Sequence, residues 1–307
     1  MANDKLKIHV PVLQKEVLEI FDPKPNQNFI DCTIGEGGHS LAILEKTAPE
    51  GKILGIDWDQ EIIKSLKFSR RLVLVCDNFA NLKEIVGKEN FKEVEGILLD
   101  LGISSWHLEK SGRGFSFQKD ETLDMRYNQN SKLTAEKILN EWSEKEIEKI
   151  LKEYGEERFA KRISKKIVEE RKIKPIRTTF QLVEIIKKAI PSWYHHKKIH
   201  FATRTFQALR IAVNDELENL KKVLPQALEI LERSGKLVVI SFHSLEDRIV
   251  KNFLKEYSHG RIRIPERSEV APFACQILTK KPIRPSVEEI KSNPRSRSAR
   301  LRSALKL

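Results

Sequence analysis

FIDCTIGEGGHSLAILEK, residues 29–46, sets three glycines within four positions (Gly35, Gly37 and Gly38) between an apolar run and a helix-like one. Glycine there permits a sharp turn or the close approach of another group, so the stretch describes a strand handing over to a helix. Taken alone it could be only a tight turn. The following residues repeat the pattern: KILGID (52–57), RLVLVC (71–76) and VEGILLDL (94–101) are short, nearly continuous apolar runs. Helical patterns separate them, such as DQEIIKSLKF, in which Ile62, Ile63 and Leu66 share a face. Buried strands alternating with helices predict a parallel sheet covered on both sides. A fifth run of this type, KLVVISF (236–242), follows Gly235 far downstream.

Between Ser105 and about His200 no strand pattern stands out. Ser143 to Glu146 and Thr178 to Gln181 read as capping boxes, each opening an amphipathic run, and Pro191 stops the second. The long pattern from Thr203 to Arg233 leads back toward the sheet. The spacing therefore predicts a sheet domain formed by residues 1–104 and 204–307, with a helical domain inserted at 105–203.

The 307 residues are 40% hydrophobic and 33% charged, which describes a water-soluble globular chain. No apolar run approaches the roughly 18 residues of a membrane span. MANDKLKIHVPVL at the N-terminus has no apolar core of a secretory signal. Three scattered cysteines without a CxxC pair argue against zinc or a disulfide framework, so a reducing cytoplasm is expected. The net charge of +12 favours a polyanionic partner. Clustering sharpens this: residues 161–177 hold eight basic and two acidic residues, and residues 291–307 hold six basic and none acidic. Nucleic acid is the expected partner.

Ligands of open parallel sheets sit at the carboxyl ends of the strands, where the glycine turn falls. A phosphate-binding GxxxxGK[ST] loop is absent. The dinucleotide pattern GxGxxG meets Ser40 at its third glycine, which disfavours a nicotinamide-dependent oxidoreductase. S-adenosylmethionine remains: its amino acid part suits a glycine turn, and its ribose suits a carboxylate at the end of the second strand. Asp57 stands there, 22 residues beyond Gly35 (57 − 35). CDNF (76–79) could supply Asp77 or Asn78 to the adenine amine and Phe79 to its ring, and Asp100 ends the fourth strand. Three acids ending three successive strands favour a methyltransferase.

CTIGEGGHS (32–40), ILLDLGISS (97–105), GRGFSF (112–117), LDMR (123–126), YGEERFAKRI (154–163), ATRTFQALRIAVNDEL (202–217), ISFHSLEDR (240–248) and NPRSRSARLR (293–302) occur in this order. Together they resemble the bacterial 16S ribosomal RNA cytosine-N4 methyltransferase family, from His9 to the C-terminus. The resemblance implies a Rossmann-like methyltransferase sheet, mostly parallel with helices on both faces, carrying an inserted helical substrate-recognition domain. It implies methylation of the N4 amine of a cytidine in the decoding region of the small ribosomal subunit, in the cytoplasm, with S-adenosylmethionine and no metal. It carries cofactor contacts to Gly37, Gly38, His39, Asp57, Phe79, Asp100 and position 107, often Gln in the family and His107 here. Two departures from wider methyltransferase patterns stand out. Thr33 replaces the first glycine of acid-x-Gly-x-Gly-x-Gly, and Asp100-Leu-Gly-Ile replaces the Pro-Pro-aromatic motif of DNA amino methyltransferases.

The cytosine amine is a poor nucleophile because its lone pair is delocalised, so an acceptor for its hydrogen is expected. Asp100 is the candidate, either in that role or purely as a cofactor ligand. Trp106, Phe115, Phe117, Trp193 and Tyr194 are candidate stacking partners for the base. Arg204, Arg210 and Asn214 are candidates for RNA contact or for closing the cleft, and His243 is a candidate substrate contact, while Ser244 to Asp247 reads as a capping box. Two other readings stay open: a methyltransferase for another nucleic-acid amine, and a non-catalytic ribosome-assembly factor.

Overall fold

In a computed structural model the described residues are 11–67, 69–195, 199–259, 262–263, 270–271 and 275–307. His9 and Val10, where the resemblance begins, lie outside them. The chain divides into two compact units: one takes in the chain up to Gly102 and from Leu217 onward, the other is Ile103–Glu216.

The first unit is built on β1 (Asn28–Asp31), β2 (Ile53–Asp57), β3 (Leu72–Cys76), β4 (Val94–Asp100), β5 (Lys236–Ser241), β6 (Cys275–Ile277) and β7 (Arg300–Lys306). They form one sheet in the order β3-β2-β1-β4-β5-β7-β6. The first five run parallel, β7 is antiparallel to β5, and β6 is antiparallel to β7. This is the Rossmann-like, mostly parallel sheet expected from the sequence. The chain passes from β1 outward to β2 and β3, then returns to set β4 on β1's other side. Strand order thus reverses between β1 and β4, and their carboxyl ends flank the crevice where such sheets bind ligands.

Strand side chains alternate across the sheet, which splits the core in two. Ile30, Leu54, Ile56, Ile97, Leu99, Leu237 and Val239 face one side. There they meet Leu82 and Ile85 of α4 (Leu82–Lys88) and residues of two long helices described below. Phe29, Ile53, Leu98, Val238 and Ile240 face the other. Val17 and Phe21 of α1 (Gln14–Phe21), Ile43 and Leu44 of α2 (Gly38–Lys46) and Ile63 of α3 (Gln60–Ser65) cover them. Burial on both faces explains why these strands read as continuous apolar runs.

The second unit holds α5 (Ser105–Glu109), α6 (Ala135–Glu141), α7 (Glu144–Glu153), α8 (Ala160–Arg171), α9 (Thr179–Ala189), α10 (Ser192–His195) and α11 (Thr203–Asn214). Both expected capping boxes are present, Ser143 with Glu146 and Thr178 with Gln181. Its core includes Ile138, Ile147, Ile163, Ile186 and Leu209. The Thr203–Arg233 pattern is not one helix. Asp215 adopts a left-handed conformation (φ 51°) that closes α11, and α12 (Glu216–Ile230) begins after it. Phe206, Leu209 and Val213 pack into the helical core, so α11 belongs to the insertion, which runs past 203 to Glu216. Back in the sheet unit, Val223 and Leu224 of α12 and Val250 and Leu254 of α13 (Ser244–His259) cover the first face.

The C-terminal basic run is largely not a solvated arm. After α14 (Val287–Ser292) and a short turn, it becomes β7 inside the sheet. Leu301 and Ala304 are fully buried and Arg302 is 8% exposed. Arg302 donates to both oxygens of Asp247, Nε to Oδ1 at 2.7 Å and Nη2 to Oδ2 at 3.3 Å, and Arg300 adds a bond of 3.1 Å. Neutralising a guanidinium in this way lets a basic segment serve as an inner strand. Arg295 and Arg297 stay exposed.

Candidate active site at the strand ends

Where β1 stops, Cys32 N–H makes a last ladder bond to Leu98 O at 2.9 Å and the chain turns away. Gly35 (φ 50°) and Gly37 (φ 81°) take left-handed conformations that side chains resist. Among the described residues, a side chain at Gly35 would meet nothing nearer than Thr33 O at 3.8 Å, so they leave that side of the turn open. Gly37 is the N-cap of α2, with no side-chain cap bond. Gly38 has a different reason to be glycine, because a Cβ there would lie 2.3 Å from Pro11 Cγ.

Asp57, half-buried at the end of β2, clamps this turn. Its Oδ2 accepts from Gly35 N–H at 3.1 Å and its Oδ1 from Asp59 N–H at 2.9 Å. A carboxylate at a strand end is the group type that pairs with ribose hydroxyls. After β3, Asn78 Oδ1 accepts from Ala80 N–H and Asp77 Oδ1 from Asn78 N–H and Asn81 Nδ2, at 2.9, 2.6 and 3.0 Å. Both side chains shape the turn, and the half-buried ring of Phe79 follows them.

Asp100 ends β4 across the switch point. Its N–H donates to Thr33 Oγ1 at 2.7 Å, its Oδ1 accepts from Gly102 N–H at 3.3 Å, and its side chain is 22% exposed. His39, in the first turn of α2, is 6% exposed. Its Nε2 lies 3.6 Å from Asp100 Oδ2, beyond hydrogen-bond reach, and among the described residues neither ring nitrogen has a hydrogen-bond partner. Beneath them Asp31, 2% exposed, accepts from Ser40 Oγ at 2.7 Å and Thr33 N–H at 3.1 Å. Burial pushes the Asp31 carboxyl up from its ordinary range, against the hydrogen bond of Ser40. Gly37, Gly38, His39, Asp57 and Asp100 therefore gather around one turn and one strand end. Asp31, Thr33 and Ser40 join this cluster, and in the sequence Thr33 and Ser40 show only as departures from glycine patterns.

The other candidates have different settings. His243 is the N-cap of α13, with Nε2 3.0 Å from Glu246 Oε1. Glu246 Oε2 accepts from the N–H groups of Phe242 and His243 at 2.8 and 3.2 Å. The cap thus falls one residue earlier than a Ser244 to Asp247 box, and Asp247 is turned to Arg302 instead. The remaining candidates lie in the helical unit. His107 is 4% exposed, with Nδ1 2.7 Å from Ser104 Oγ and its ring against Phe115 and Tyr127. Asn214 is buried and tied to backbone: its Oδ1 accepts from Tyr127 N–H, and its Nδ2 donates to Met125 O and Arg210 O. Arg210 makes two bonds to Glu216, 2.8 and 2.9 Å. These two side chains secure the end of α11. Arg204 donates to Glu156 O at 2.9 Å. Of the five candidate stacking residues, Trp193 is about half exposed (49%), whereas Phe115 is buried against Tyr127.

The MraW methylase family matches residues 7–307. This chain belongs to that family. Its similar relatives include proteins named ribosomal RNA small subunit methyltransferase H. The one from Heliobacterium mobile is 48% identical over 308 residues, covering 97% of this chain and 99% of the relative. The one from Thermotoga neapolitana is 47% identical over 304 residues, covering 96% and 95%. The one from Desulfotalea psychrophila is 42% identical over 309 residues, covering 99% and 100%.

A methylase needs a methyl donor, and the residues present fit S-adenosylmethionine. The open side of Gly35 admits close approach, and α2 begins without a side-chain cap, leaving N–H groups for a carboxylate. Asp57 suits ribose hydroxyls, while the two ring nitrogens of His39 await a partner. No helix among the described residues is long and apolar enough to cross a membrane.

Proposed function

We propose that this methylase transfers a methyl group from S-adenosylmethionine to the N4 amine of a cytidine in the decoding region of 16S ribosomal RNA, within the small ribosomal subunit in the cytoplasm. The observation that carries the reading is the meeting of the glycine turn and Asp100 where the strand order reverses. The names of the similar relatives support ribosomal RNA as substrate.

Gly35, Gly37, Gly38 and His39 hold the amino acid part of the cofactor, Asp57 holds its ribose, and Phe79 lies against its adenine. When bound, S-adenosylmethionine supplies a methyl group already activated on a sulfonium. The protein's remaining work is alignment, which supplies several kcal/mol of a barrier, commonly about 7–11 kcal/mol at best. The target nitrogen would form a bond to the methyl carbon as the methyl–sulfur bond breaks, its electron pair staying on a neutral thioether, and Asp100 Oδ2 would accept the proton that the nitrogen gives up. His39 Nε2 stands 3.6 Å from this oxygen.

The base must leave its stack to reach a strand-end pocket. The helical unit carries the RNA, with Arg204, the basic residues between Lys161 and Arg177 and the exposed ring of Trp193 as contacts. The test uses small subunits from a strain lacking this gene, incubated with labelled S-adenosylmethionine and then mapped. One methyl at N4 of one decoding-region cytidine is expected. A methyl on another amine would replace the substrate, and no transfer at all would support an assembly role without catalysis.

A further inference from the structure

We infer that Thr33 is a positioning residue that sets the orientation of Asp100 through its side-chain hydroxyl. The inference rests on the acceptor role proposed for Asp100. It begins from the end of the sheet. β4 runs on to Asp100, while β1 ends at Asp31, and the ladder between them closes with Cys32 N–H to Leu98 O. The N–H of Asp100 is therefore left without a backbone acceptor from β1. Thr33 Oγ1 takes that place at 2.7 Å, a side chain standing in for a missing strand residue.

The hydroxyl is itself oriented. Asp31 Oδ1 accepts from Thr33 N–H at 3.1 Å and lies 3.5 Å from Thr33 Oγ1, while Ser40 Oγ holds Asp31 Oδ2 at 2.7 Å. With its proton directed at a buried carboxylate, Thr33 Oγ1 turns a lone pair to Asp100 N–H. Asp31 and Ser40 are almost wholly enclosed, so the arrangement has little freedom to relax. The chain Ser40–Asp31–Thr33–Asp100 thus ties the first turn of α2 to the last residue of β4. A glycine at position 33, as in the wider methyltransferase pattern, would supply no hydroxyl and leave the Asp100 N–H unpaired. Aligned groups lose rate steeply when displaced.

The test compares Thr33→Val, Thr33→Ser and Asp100→Asn, with the double variant, in the full-length protein. Four quantities are read: thermal midpoint, S-adenosylmethionine affinity, KM for small subunits and the single-turnover rate at saturation. Thr33→Val should lower the saturated rate about tenfold, the effect of one lost hydrogen-bond partner on a barrier. Cofactor affinity and KM should stay within about twofold, and Thr33→Ser should restore the rate. In an Asp100→Asn background Thr33→Val should add nothing, because both act through one carboxylate. If Thr33→Val does not fold, Thr33→Ala removes the hydroxyl without adding a methyl and repeats the measurement. A wild-type rate in Thr33→Val or Thr33→Ala, a Thr33→Ser variant as slow as Thr33→Val, or additive losses in the double variant would overturn the inference. A wild-type rate in Asp100→Asn is a different result, which removes the acceptor role on which the inference stands.

Discussion

Replacing Asp247 by alanine removes the only described carboxylate on two arginines of β7. Asp247 is 8% exposed and Arg302 8%, and their two bonds run in parallel at 2.7 and 3.3 Å. Removing one partner of such a buried pair leaves a charge without compensation, which costs about 3–5 kcal/mol. Arg300 is more exposed, and its bond adds at most about 1 kcal/mol. We expect Asp247→Ala to lower unfolding stability by about 3–5 kcal/mol, read as a shifted midpoint in urea. Asp247→Leu with Arg302→Leu should lose less than Asp247→Ala alone, since an apolar pair leaves no orphaned charge. The pH dependence has a defined sign. Burial acts to raise the Asp247 pKa, but the hydrogen bonds and charges of Arg302 and Arg300 prevail and hold it below its ordinary value. A carboxylate held low contributes stability fully above its unfolded pKa, about 3.9, and loses it as pH falls through the folded pKa. The gap between wild type and Asp247→Ala should therefore be constant at neutral pH and narrow below about pH 4. A loss under about 1 kcal/mol at pH 7, or a gap that widens in acid, would refute the argument that this pair holds β7 in the sheet.

Asp57→Ala removes the acceptor for Gly35 N–H in the glycine turn and for Asp59 N–H after β2, so S-adenosylmethionine affinity should fall by about 1–3 kcal/mol. Calorimetry showing unchanged affinity in a folded variant would take Asp57 out of the site. Asp100→Asn should lower the saturated single-turnover rate by about 100- to 10,000-fold with cofactor affinity nearly intact. A rate within about threefold of wild type would leave Asp100 as a cofactor ligand only. Arg295→Ala with Arg297→Ala should flatten the dependence of RNA affinity on salt by about 1.4 logarithmic units per decade, if each meets one phosphate of a single strand. Arg302→Met should leave that slope unchanged, because its guanidinium faces Asp247.

The five parallel strands and the helical insertion were legible in the sequence because their physics is local. Apolar runs such as KILGID and VEGILLDL can only be strands buried on both faces, and capping boxes at Ser143 and Thr178 mark helix starts within four residues. The glycine turn and the acids that end β2 and β4 were equally plain, since each sits at the edge of such a run.

Tertiary structure alone decided the rest. β7 carries Arg300, Arg302 and Lys306, so its sequence resembles a basic tail, yet it pairs on both sides in the sheet and Asp247, from another element, neutralises its arginines. The partners of Asn214 and Arg210, which are Tyr127 N–H, Met125 O and the Glu216 carboxylate, are likewise brought to them only by folding. The pattern from Thr203 to Arg233 gave no sign of the left-handed Asp215 that parts it, because the break depends on which core each half joins. Thr33 is the clearest case. Its departure from glycine can be read at one position, but its meaning lies 67 residues away, at the N–H of Asp100. Hydrogen bonds between distant residues leave no periodicity in the chain, so folding alone brings their partners together.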